Sequence, residues 1–431
     1  MHKYTTLRSV LTLAAAICSM ASSPLGGQRF STNLPDAKSI VETPIRRPPV
    51  FSVSRQGLLI ADHDRFASIK VHGYMQADGR LFVTNFQDQA HQSLLFRRVR
   101  PLVEGKLAQH MEFRFMPDFG EGITVIQEAY AEWAPAPSLA FRIGKFKSPI
   151  GLEVLRTDRE LTFPERSLAS DFAPIRDLGA QIGGSFCQGA IEYEAGAFAG
   201  TEDGTNAKFE WQGLNEAAAR LFLIPFRRSN NQSINQLGFG MAGSLGNNHA
   251  VLPSFKTIGQ QTFFRYSPQV ATVGAHERLA PQAYYFRGSL GIIGEYIRSD
   301  ETAELAVARR EMSNRGWQIA GSYVLTGEKN SYDGVRPARG FDPAHPLQHA
   351  GAWEIAIRHS EARMDKAAFP LFADPARSAQ TAFETVTGMT WYINRYVKLM
   401  SHFSNTSFQM SDGHRPLVAE RVTMTRLQLA F

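Results

Sequence analysis

Three arginines fall within four positions of the stretch SLLFRRVRPLVEGKL, residues 93–107: Arg97, Arg98 and Arg100. A guanidinium offers five N–H donors in a rigid planar fork that matches the paired oxygens of a carboxylate or a phosphate, and it stays charged at any accessible pH. Gathered in a narrow, low-dielectric site, such groups form successive stations that replace the hydration of a passing anion. Their summed field also concentrates counter-ions. The competing chemistry is internal ion pairing, for which Glu104, Glu112, Glu128 and Glu132 stand nearby. Four more arginines, Arg156, Arg159, Arg166 and Arg176, follow within 148–176. Arginine outnumbers lysine 35 to 11 over the chain, a bias that a GC-rich genome would also produce, so composition does not choose between the two chemistries.

Signatures of catalysis are weak. LGFGMAG at 237–243 contains G-x-G-x-x-G, but no helical pattern follows it and no acidic residue stands at the downstream spacing of a dinucleotide site. In a strand those glycines would allow close packing or clear space. The twelve histidines include no H-E-x-x-H, and His345 and His349 in HPLQH are flanked by Asp-Pro and separated by another Pro, so no helix is expected to present both to a metal. G-x-S-x-G is absent, and a Ser–His pair brought together only in space is the enzymatic arrangement left open. The basic runs FRRSNN (226–231) and VARREMSNR (307–315) lack interleaved aromatics and read as solvated turns, not as a nucleic-acid surface. No cofactor and no metal are expected.

The elements that must position the arginines are strands. MHKYTTLRSVLTLAAAICSMASS has a basic start, a short apolar run and small residues after it, the pattern of a secretory signal over 1–23. Its removal would take away Lys3 and Arg8 and lower the formal net charge of +6 accordingly. Cys187 would then be the sole cysteine, leaving no internal disulfide for an exported chain. Residues 24–67 are Pro-rich and read as a flexible periplasmic arm. From 68 to 431 the period is two. Sixteen candidate strands run from 69–78 to 419–431, most of eight to thirteen residues, among them 281–288, 290–298 and 315–325. Tilted membrane strands need about 9–11 residues, longer than the usual globular strand.

Tight turns alternate with long loops, the asymmetry of a transmembrane barrel. One connection, 327–349, is long where a short turn is expected, and TFFRY at 262–266 is a candidate extra strand. A lipid-facing charge at midplane costs about 2–4 kcal/mol, so the charged faces should line a wet lumen. In the opening stretch, alternation puts Arg98, Arg100, Glu104 and Lys106 on one face and Val99, Val103 and Leu107 on the other. Arg97 breaks the pattern and is expected at a bulge or a strand end.

From about residue 69 to its end the chain resembles the phosphate-selective porin O and P family. The likeness is carried by LLFRRVRPLVEGKL with MEFRFMPDFG, by VIQEAYAEW, by FRIGKFKSPIGLEVLRTDRELTFPERSLASDFAPIRDLGAQIGG, by GWQIAGSYVLTGEKNSYDGVRPARGF with GAWEIAIRHS, and by TVTGMTWYINRYVKLM with the closing TRLQLAF. The resemblance implies an all-β, sixteen-stranded antiparallel transmembrane barrel in the outer membrane of a Gram-negative bacterium. It implies an inward-folded third loop, a homotrimer, surrounding lipid and passive diffusion of anions, above all inorganic phosphate or polyphosphate. It implies that a tandem arginine pair, here Arg97 and Arg98, and an arginine of the inward loop form the narrowest point. Arg100 stands beside the pair. Arg166 lies in the best-matched loop stretch, with Arg156, Arg159 and Arg176 as alternatives. The family's lysine-lined vestibules are not matched; Arg336 and Arg339 are the substitutes in view. The terminal strand ending in Phe431 is similar to those recognised by the barrel-assembly machinery. A general anion or organic-acid porin, or a barrel plugged by 148–176 and 327–349, stays open beside this reading.

Overall fold

The computed structural model describes residues 49–431 except 55–56, 63–65, 87–91, 201–213, 248–251, 347 and 412–415; the expected signal sequence and most of the expected arm lie outside the described residues. In chain order the strands are β1 (Val50–Ser54), β2 (Gly57–Ala61), β3 (Ser68–Thr84), β4 (Ser93–Ala108), β5 (Met111–Asp118), β6 (Val125–Ala136), β7 (Leu139–Lys147), β8 (Arg176–Phe186), β9 (Ile191–Phe198) and β10 (Glu216–Leu223). Then come β11 (Leu237–Asn247), β12 (Phe255–Lys256), β13 (Thr262–Phe264), β14 (Ala271–Arg287), β15 (Leu290–Leu305), β16 (Ala308–Val324), β17 (Ala352–Arg363), β18 (Thr381–Tyr392), β19 (Val397–Gln409) and β20 (Glu420–Ala430).

Each barrel strand pairs antiparallel with the next, from β3 through β11 and β14 to β20, and β20 returns to β3, with Ala430 opposite Tyr74. Of the eighteen strands in this sheet, β1 and β2 form an appended hairpin, which leaves sixteen in the closed barrel. Closure pairs every strand on both edges, as a membrane interior without water requires. Alternation does the sorting. On β17, Ile355 and Ile357 are exposed on the outer face, whereas Glu354 and Arg358 are buried inside. Ile319 on β16 and Met389 on β18 continue the outer apolar surface.

Three expectations change. Part of the segment read as a flexible arm is a hairpin, whose β2 pairs with Ser68–Val71 of β3 in line with β20; Leu58 to Ala61 are β-prone and find an unpaired edge there. The long connection 325–351 is a turn between β16 and β17, so the count of sixteen needs no extra strand; TFF pairs only with β12, inside a loop. Strands β14 to β16 are 16–17 residues long, beyond the bounds read from their apolar alternation, because their ends are polar on both faces and pair above the lipid zone. The glycines of LGFGMAG lie in β11, where side chains at Gly238 or Gly240 would strike the Phe222 ring on the lumen side.

Candidate functional site

Pairing between β3 and β4 runs Gln76 to Arg98 and then Ala77 to Phe96, so Arg97 is the extra residue of a β-bulge. The bulge shifts the parity of the strand. Leu94 and Phe96 face outward above it, while Arg98 and Arg100 are buried on the lumen side below it. The end of β5 braces this irregularity. Asp118 accepts the backbone N–H groups of Val99 and Gly120, both at 3.0 Å. Gly120 itself lies so close that an added Cβ would stand 2.5 Å from the Arg97 carbonyl oxygen.

The chain between β7 and β8, 148–175, folds into the lumen. Gly151, with φ 84°, turns it inward, and a single helical turn, Leu152–Leu155, follows. Ile150, Leu152, Val154, Leu161, Phe163 and Leu168 are at most 2% exposed, and five of them pack in clusters shared with the barrel wall and the second loop, Leu152 with Phe222 and Phe163 with Val386 among them. Its backbone is held by the opposite wall: Lys398 donates to the carbonyls of Arg159 and Leu161 at 2.8 and 3.2 Å, and Gln428 to that of Arg159 at 3.2 Å.

Two carboxylates of this loop collect the arginines. Asp158 meets Arg166 at 2.6 Å, Arg176 at 3.3 Å and Arg98 at 3.9 Å, and also receives Arg100. Glu165 meets Arg97 at 2.9 Å, Arg98 at 3.1 Å and Arg426 at 2.6 Å. Burial raises the affinity of both carboxyls for a proton, but the surrounding guanidiniums outweigh it and hold both well below the usual carboxylate range. Deeper in the loop Glu153 is bonded by Arg358 at 3.3 Å and by the Ser167 N–H at 2.8 Å. Burial opposes its ionisation, but the Arg358 charge and the Ser167 bond outweigh burial and hold the carboxyl below its usual range.

Arg97, Arg98, Arg100, Arg166 and Arg176 thus come together. Arg159 does not join them; it pairs with Glu160 at 3.0 Å, and its side chain is more than a third exposed. Arg156 is spent on backbone, donating to the carbonyls of Tyr332 and Glu160 at 3.0 and 2.7 Å. Arg336 and Arg339 are exposed on the long turn. The carboxylates flagged on β4 to β6 do form ladders: Arg114 bridges Glu104 and Glu128, and Arg142 meets Glu132 at 2.6 Å. Sequence reading missed Asp158 and Glu165 as partners, and with them Arg426 and Arg358. The polar face of TRLQLAF held the signal for Arg426, but nothing local named its partner.

A second loop, between β11 and β14, also folds inward. Ile258 packs with Phe163 and the β18 and β20 residues Val386 and Val422, and its N–H donates to Glu384 at 3.3 Å. Between the two loops and the wall of β4 to β8 and β14 to β15 lies a cavity of about 560 Å³, lined by Arg97, Arg98, Arg166, Arg176 and Arg278 together with Glu165 and Glu301. Among the described residues, the buried Nε atoms of Arg80, Arg98, Arg166, Arg278 and Arg358 and the Nη2 of Arg80 make no hydrogen bond. From the other end the long turn reaches the inward loop, where the Tyr332 hydroxyl donates to the Leu152 carbonyl at 2.6 Å. In the same turn HPLQH closes one i,i+4 hydrogen bond and brings both histidines to Asp342, at 3.1 and 3.8 Å, closer than the prolines suggested. No three such side chains among the described residues are placed to hold a metal ion.

The family model described as phosphate-selective porin O and P matches residues 69–431. Porin O of Pseudomonas aeruginosa is 22% identical over 391 residues, covering 81% of this chain and 85% of that protein. Among solved structures, the outer membrane channel DcaP of Acinetobacter baumannii superposes with a TM-score of 0.56 at 9% identity, covering 88% of this chain and 99% of DcaP. OmpF of Salmonella typhi gives 0.53 at 10% identity, covering 86% and 99%. The trimer form of OmpT from Vibrio cholerae gives 0.52 at 8% identity, covering 85% and 99%.

Proposed function

Because the chain belongs to the phosphate-selective porin O and P family and is an outer-membrane channel, we propose that it passes small anions by passive diffusion, inorganic phosphate or polyphosphate foremost. The observation that carries this reading is the convergence of Arg97, Arg98, Arg100, Arg166 and Arg176 where the inward loop meets the wall. Asp158 and Glu165 hold these guanidiniums in place beside the cavity between the two loops, where an anion can exchange its water for fixed donors. The tandem pair with Arg166 is the filter in this reading; Arg176 and Arg100 complete its electrostatic surroundings, and Arg336 and Arg339 draw anions at the turn-side mouth. The functional unit is a homotrimer, residues 1–23 direct export, and the strand ending at Phe431 is read by the assembly machinery.

The same ion pairs favour a second reading within transport, a general anion or organic-acid porin without phosphate preference. Two buried carboxylates offset much of the charge that a strict phosphate filter would keep free. Planar-bilayer recording decides between them. A salt gradient should give a reversal potential on the anion side, and phosphate at low concentration should block chloride current. Anion selectivity without block supports the second reading; cation selectivity overturns both.

A further inference from the structure

The outer wall carries a row of arginines that the channel does not use. Arg298 of β15 stands opposite Arg315 of β16, which stands opposite Arg363 of β17. Directly opposite residues share a face, and this face is the outer one. On the same parity lie the exposed Ile292, Ile319 and Ile357, whereas the other parity carries Glu295, Gln318 and Arg358, which bond the inward loop. All three arginines are exposed. They begin two residues beyond Tyr296, Trp317 and Glu361, where the Trp317 indole donates to Glu361 at 3.0 Å. Rings with a polar tip at that position mark the edge of the hydrocarbon zone. The row therefore lies at headgroup level, on the side of the long loops, which in this architecture is the cell exterior.

Three like charges side by side on adjacent strands repel, since opposite residues sit about 5 Å apart at Cβ. Arg298 has relief from Asp300 at 2.9 Å and the Ser313 hydroxyl at 3.1 Å. Glu361 is engaged by Trp317, and Asp365 accepts the Ser313 and Ala367 N–H groups. No ion pair to Arg315 or Arg363 is formed among the described residues. What would neutralise them is an anion arriving at the lipid boundary, and a guanidinium row fits phosphate oxygens two at a time.

We infer that Arg298, Arg315 and Arg363 form a docking site for the phosphate groups of an outer-leaflet glycolipid. The acyl chains would lie along the apolar wall of Ile319 and Ile357. The inference rests on the outer-membrane assignment and not on the anion selectivity of the pore.

The test uses delipidated full-length protein in detergent, with diphosphorylated lipid A added, fully dephosphorylated lipid A as control, and inorganic phosphate as competitor. Bound lipid is read by native mass spectrometry and by the rise in melting temperature. Wild type should retain the phosphorylated lipid only. The triple variant R298Q/R315Q/R363Q should bind it roughly a hundredfold more weakly, the summed effect of three basic residues at an anionic lipid surface. The tip variant R309Q/R310Q, which removes two positive charges from the same hairpin, should bind as wild type. If the triple variant does not fold, R315Q and R363Q singly serve, each expected to weaken binding. Equal retention by the row variants overturns the proposal. So does full displacement by inorganic phosphate, which would make free phosphate the ligand, or dissociation of lipid-free oligomers by the triple change, which would make the row a contact between copies. Bilayer conductance of the triple variant should match wild type; failure of wild type to conduct would count against the channel assignment and leave the lipid result standing.

Discussion

The Arg98 guanidinium donates to the Glu165 carboxylate at 3.1 Å across the lumen. Arg97 bonds the same carboxylate at 2.9 Å, so both members of the pair proposed to hold the permeant anion are also ties between β4 and the inward loop. In that reading selectivity and loop position are coupled, and variants at either end of these bonds should report on both.

Neutralising the tandem pair, R97Q/R98Q, should weaken phosphate block of chloride current by at least about tenfold, the effect of losing one charge-assisted contact of about 1.4 kcal/mol. Titration of block in planar bilayers measures it. An unchanged block would place the filter elsewhere.

E165Q leaves Arg97, Arg98 and Arg426 facing a neutral amide. Breaking a buried pair by removing one partner costs about 3–5 kcal/mol, so the loop should loosen and its amide hydrogen exchange around 158–168 should rise. Anion over cation permeability should rise as well, because positive charge is uncovered. A fall in that ratio would contradict the proposed role of the arginines.

The pH response has a defined sign. Asp158 and Glu165 titrate well below their ordinary values of 3.8 and 4.5 in the folded protein. In acid the unfolded chain binds more protons than the native one, so their contribution is full above the ordinary carboxylate range and is lost as pH falls through the depressed native values. Exchange protection of the segment tied by these two carboxylates, 158–166, should therefore hold from pH 7 to about pH 5 and fall only in stronger acid, whereas Asp171, pushed up by burial to about 7, changes charge near neutrality. Loss of protection at 158–166 near pH 6 would sink this assignment.

G120A should displace the bulge, since its Cβ would fall 2.5 Å from the Arg97 carbonyl oxygen. A destabilisation of about 1–3 kcal/mol is expected from such overpacking, together with weaker phosphate block because Arg97 moves. Wild-type block and stability would show that the strand absorbs the methyl group freely.

Y332F removes the hydroxyl that bonds the Leu152 carbonyl at 2.6 Å. The expected cost is about 1 kcal/mol, with more frequent current fluctuations as the loop loses its support from the turn. Identical single-channel noise would show that the long turn does not steady the loop.

Much of this architecture was legible along the chain because a membrane barrel encodes itself locally. Alternation assigns each residue to lipid or lumen, and that rule located sixteen strands and placed Arg98 and Arg100 inside. It also marked Arg97 as the residue that breaks the period, and the bulge is where the break occurs. The long strands β14 to β16 were cut short because alternation fades where both faces meet water. The inward loop at 148–176 was visible through resemblance and not through periodicity.

What tertiary structure decided is who faces whom. Glu165 lies 67 residues from Arg98 and 261 from Arg426, and no spacing rule links positions that meet only because a loop crosses a closed barrel. The second inward loop, the escape of Arg159 to Glu160 and the arginine row on the outer wall have the same origin. By itself the sequence determined which residues are turned inward, since strand geometry has a period of two. The choice between an arginine that holds an anion and one that holds a carboxylate was left to the distances that closure of the barrel creates.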